Sequence, residues 1–91
     1  MTPAQRKLAA LSMDLKRVAL SHHDNSLQTA TRFTVESLNK ARLLDSAQLP
    51  NYVKKILENL KDILKQDDKQ KVAEDALMYS TILQNAALAN V

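Results

Sequence analysis

Apolar residues recur at every third or fourth position in four stretches of this 91-residue chain, and polar breaks separate the stretches. At about 3.6 residues per turn, that spacing gathers them into one stripe along a helix. The first stripe is Ala4, Leu8, Leu11, Leu15 and Val18, within a predicted helix over 3–21. It opens on a start signal in which Thr2 can cap, Pro3 suits the first helical position and Gln5 completes a capping box. After the break Ser21-His22-His23-Asp24-Asn25-Ser26, a second helix is predicted over 26–44 with Leu27, Ala30, Thr34, Leu38 and Ala41 on its inner face, broadened by Phe33, Val35 and Leu44. Its β-branched run Thr31 to Val35 mimics a strand, but a lone strand cannot satisfy its backbone groups. The third, over 50–65, has the sharpest division: Val53, Ile56, Leu57, Leu60, Ile63 and Leu64 share one face, with Leu49 and Tyr52 at its start, while Lys54, Lys55, Glu58, Lys61, Asp62 and Lys65 share the other. Pro50 suits its first turn. The fourth is predicted over 69–90, behind the acids Asp67 and Asp68, with Val72, Ala76, Tyr79, Leu83, Ala86 and Ala87 as its stripe.

Connections of a few residues favour antiparallel neighbours, so the expected fold is a single all-α domain, an up-down-up-down four-helix bundle. Composition agrees, because the chain has no glycine for tight turns or phosphate loops and no cysteine for disulfides, thiolate metal sites or thiol catalysis. Helices 1 and 4 carry more apolar positions than one stripe needs. Met13 and Leu20 lie off the core face of helix 1, and Leu77, Met78 and Leu88 widen helix 4. These five are either extra core, covered within the bundle, or a candidate partner interface for a second copy of the chain or another protein, and methionine suits varied surfaces.

Charge changes the picture little. Residues 1–44 hold seven Lys/Arg against three acids, a balance of +4, and residues 45–91 hold six against seven, a balance of −1. Arg6, Lys7 and Arg17 cluster on helix 1 as a candidate anion contact, which makes a small dimeric nucleic-acid regulator the alternative reading. With only Phe33, Tyr52 and Tyr79 aromatic, base stacking has little to use. His22 and His23 diverge by about 100° on a helix and lack a third His or Cys, so no metal or other cofactor is expected. The acid pairs Asp67/Asp68 and Glu74/Asp75 fall at a helix start, where carboxylates stabilise the dipole, and a Gly-x-Ser-x-Gly nucleophile turn is impossible without glycine. The expectation is a non-catalytic protein. No secretory signal or membrane-spanning run is legible, so a cytoplasmic location is expected.

Asn25-Ser26-Leu27, then Leu38-Asn39-Lys40-Ala41, a short turn, Pro50, and Val53, Ile56, Leu57, Leu60 and Ile63 resemble the middle of the pediocin-like (class IIa) bacteriocin immunity proteins, over residues 25–64. That resemblance implies a small basic cytosolic four-helix bundle without catalytic activity. It implies protection of a producing bacterium by contact with a membrane receptor–bacteriocin complex from the cytosolic side, with discrimination residing in helix 4. In departure from the family pattern, no separate tail is expected after that helix.

Overall fold

The computed structural model describes residues 1–89. Four helices follow one another: α1 (Pro3–His23), α2 (Leu27–Arg42), α3 (Asn51–Leu64) and α4 (Lys69–Leu88), with one 3-10 turn at Ser46–Gln48 between α2 and α3. α1 runs two residues past its predicted end, which places His22 and His23 on the helix. α2 stops two residues early, and the predicted end of the fourth helix at Asn90 lies outside the described residues.

Local chemistry explains most of the boundaries. At the start of α1 the Thr2 hydroxyl accepts from the Gln5 backbone N–H at 3.1 Å, and the Gln5 side chain accepts from the Thr2 N–H at 2.8 Å, a complete capping box. The carbonyls at its end accept from Asp24, Asn25 and Ser26 N–H groups, and Asn25 takes φ 58, a left-handed angle that asparagine tolerates better than most residues. Asp68 caps α4 by accepting from the Lys71 N–H at 3.2 Å. Pro50 stands just outside α3, and its carbonyl accepts from Val53 and Lys54, both at 3.1 Å. The Ser26 hydroxyl before α2 donates to the Thr29 hydroxyl and leaves the backbone without a side-chain cap.

The helices alternate in direction. Near the start of α1, Lys7 and Ala10 share a groove with Lys40 and Leu43 late in α2, whereas Arg17, farther along α1, meets Phe33 earlier in α2. Gln5 donates to the Ala89 carbonyl at 3.1 Å, tying the start of α1 to the end of α4, and His22 and His23 flank Lys69 and Gln70 at the other end. α3 begins beside Thr2 and Ala86 and finishes beside Leu27, where Gln66 reaches across to Asp75 on α4 at 3.0 Å. This is the expected up-down-up-down arrangement.

The buried apolar cluster draws Leu8, Leu11, Leu15, Val18 and Ala19 from α1, Val53, Ile56, Leu60 and Leu64 from α3, and Val72, Ala76, Leu83 and Ala87 from α4. Leu44 and Leu49, from the α2–α3 connection, complete it. The buried Ser12 of α1 and Ser80 of α4 return their hydroxyls to the Ala9 and Leu77 carbonyls of their own helices at 2.6 and 2.7 Å. α2 behaves differently from its pattern. Leu27 and Val35 are exposed, Phe33, Leu38 and Ala41 are only partly buried at the edge of the cluster, and the buried positions of α2 are Ala30 and Ser37. Tyr52, expected to help start the core of α3, is likewise exposed.

Candidate functional site

At the end of the bundle where α1 finishes and α4 begins, the two helices border a groove of about 680 Å³. Ala19, Leu20, His22 and His23 come from α1, Asn25 from the turn, and Lys69, Gln70, Ala73, Glu74 and Leu77 from α4. Ala19 and Ala73 leave room for the opening. Leu20 and Leu77 stand on it about half exposed, at 50% and 48%. Partial burial lowers the pKa of His22 from its usual value, and the nearby Lys69 charge lowers it further, both favouring the neutral imidazole. The groove therefore offers two leucines amid imidazole, amide and one charge of each sign. Such a surface suits a partly apolar protein partner.

All five candidate interface residues are exposed, but the fold does not bring them together. Leu20 and Leu77 share the end groove. Met13 instead borders a second groove, over α1 and α2, with Arg17, Arg32 and Phe33. Met78, next to Leu77, projects about 100° around α4, and Leu88 lies three turns beyond Leu77.

The basic residues of α1 separate as well. Arg17 is drawn into the α1–α2 seam, where it donates to Asp14 at 2.9 Å and lies 5.4 Å from the Phe33 ring centroid. Lys7 borders the small groove with Lys40 and Leu43, and Arg6 turns toward the Met1 carbonyl at 3.5 Å. Arg6, Lys7 and Arg17 thus form no common cradle for a phosphate.

Asp14 is the residue whose placement the pattern concealed. Its side chain is 3% exposed and takes Arg17 on one oxygen and Lys40 of α2 on the other, at 2.9 and 2.5 Å. Lys40 also reaches Glu36 at 3.4 Å, and Glu36 in turn stands 3.9 Å from Arg32. The hydrogen bond to Asp14 is the main cause of a raised Lys40 pKa, with Glu36 adding to it. The sequence also contains one Ser-x-x-Lys spacing, Ser37 to Lys40, and it falls here. The spacing does not become a nucleophile–base pair: Ser37 is 0% exposed with its hydroxyl unpartnered, while Lys40 stays protonated on two carboxylates.

The acid pairs take structural parts. Asp68 caps α4, and Asp75 accepts from Gln66 and from Lys71, which together hold its pKa below the usual value. Among the described residues no three His, Asp or Glu side chains converge to hold a metal ion, and no helix is long and apolar enough to cross a membrane. In comparisons with known proteins, no family model, curated protein or solved structure matches this chain.

Proposed function

We propose that this chain acts without catalysis, by binding another protein through the groove between the end of α1 and the start of α4. The observation that carries the reading is Leu20 and Leu77, half exposed on opposite helices of one groove and framed by polar groups. Neither leucine contributes to the core, so each is free to serve a surface. A photo-crosslinker at position 77 should capture a defined protein from the host, a crosslinker at position 54 on α3 should not, and Leu20→Asp should abolish the capture. Equal capture from both positions, or capture unaffected by Leu20→Asp, would overturn the reading.

The narrower role is bacteriocin immunity, with a receptor–bacteriocin complex as the partner met from the cytosolic side. Its support is the resemblance over 25–64 together with the four-helix bundle. Expression in a sensitive strain should raise survival against pediocin-like peptides, and unchanged sensitivity across a panel of them would remove this role while leaving the groove itself to the crosslinking test.

A further inference from the structure

We infer that α2 is a detachable helix, able to open from a persistent α1–α3–α4 core, and that the contact of Lys40 with buried Asp14 is its latch. Among the described residues, the buried apolar cluster contains side chains from α1, α3, α4 and the α2–α3 connection and none from α2. Ala30 is buried outside that cluster, and Phe33, Leu38 and Ala41 only border it. α2 lies closely along α1 yet adds only these edge side chains to the cluster, so its opening uncovers one side of α1 without removing a member of the cluster.

Two polar features set how firmly α2 is held. Ser37 is sealed from solvent with no hydrogen-bond partner, a desolvation cost that opening relieves because water then reaches the hydroxyl. Against it stands Asp14, buried on α1 and bonded across the seam by Lys40. Opening takes Lys40 away and leaves the carboxylate with Arg17, from its own helix. A charge-assisted bond to a buried acid is stronger than a neutral one, and here it crosses from a helix inside the core cluster to one outside it. The far end of α2 suits opening in place, because Leu44, beyond its last turn, stays anchored in the core; its first turn, like that of α3, has no side-chain cap. Opening is then local unfolding of residues 27–42 between two fixed ends, of the kind seen when one structural unit is less stable than the rest.

Hydrogen exchange on the intact chain tests this. Amides of 31–42 should exchange at least about tenfold faster than the core amides of α1 and α4, and Asp14→Asn should speed the α2 amides by about a further tenfold while leaving α1, α3 and α4 unchanged. Native-state trypsin gives a second measure, with cleavage after Arg32 accelerated in the variant and cleavage after Lys16 and Lys71 unaltered. If Asp14→Asn fails to fold, Lys40→Gln carries the same exchange expectation, because it leaves Asp14 the Arg17 bond. Equal protection of α2 and α4, or a variant that speeds every helix alike, would overturn the inference.

Discussion

α1 faces two neighbours through unlike seams. In the groove it shares with α4 it sets Ala19 near Ala73, and the buried serines of these two helices, Ser12 and Ser80, are each satisfied within their own helix. Toward α2 it presents a buried acid, held by a lysine from across the seam, and the α2 face contains a sealed serine with no partner. Side chains cap the starts of α1 and α4, whereas α2 and α3 begin without one. Close apolar packing is tolerant of salt and needs no particular partner atom, whereas a buried carboxylate is stable only while its cations stay in place. One helix thus joins a permanent seam to a conditional one.

The largest expected effect separates the seams by truncation. Leu15→Ala or Leu83→Ala, each removing a side chain with 0% exposure, should cost about 2–5 kcal/mol in a denaturant titration, because the void cannot close around rigid neighbours. Leu38→Ala, at the edge of the cluster, should cost under about 2 kcal/mol. If the two costs are equal, the seams do not differ in packing.

Serines sharpen the contrast with a change of sign. Ser37→Ala removes an unpartnered buried hydroxyl and should raise stability by about 1 kcal/mol, while Ser80→Ala, which deletes a satisfied bond, should lower it by up to about 1 kcal/mol. Thermal melts of both variants, compared with the parent, check it. A loss on Ser37→Ala would mean that the hydroxyl has a partner.

How much of this was legible in the chain follows the same divide. α3 was readable almost to the residue, since Val53, Ile56, Leu60 and Leu64 are buried and the lysine-rich face is not, because its two faces differ sharply in polarity. The capping box was readable too, being a local pattern four residues long. α2 was not, because what it packs against is partly an acid on α1, and no periodicity in 26–44 can report the burial of Asp14. Leu27 and Val35 looked like core and are exposed, while Ser37 looked polar and is sealed. The interface residues show the remaining limit: helical spacing places Met13, Leu20, Leu77, Met78 and Leu88 off the core stripe, but which of them meet depends on how α1 lies beside α4, and only Leu20 and Leu77 share a groove.

The smallest expected effect lies at His22, which borders both the α1–α4 groove and the groove between α2 and α3, where the two kinds of seam come closest. Burial first, and then the Lys69 charge, hold its folded pKa below 6.5. Below 6.5 the unfolded chain binds a proton that the folded chain resists, so stability contributed by neutral His22 is complete above 6.5 and declines as pH falls from 6.5 toward the folded value. Asp75 also loses its contribution on acidification, but in a separate window, as pH falls below its unfolded value of 3.8 and through its lowered folded pKa. A stability–pH profile should therefore show a shallow decline beginning near 6.5 that is absent in His22→Gln, and a later decline below 3.8 that persists in that variant. An imidazole titration by NMR measures the first directly. A His22 midpoint at or above 6.5 would mean that neither burial nor the Lys69 charge governs the ring, and the decline beginning near 6.5 would need another source.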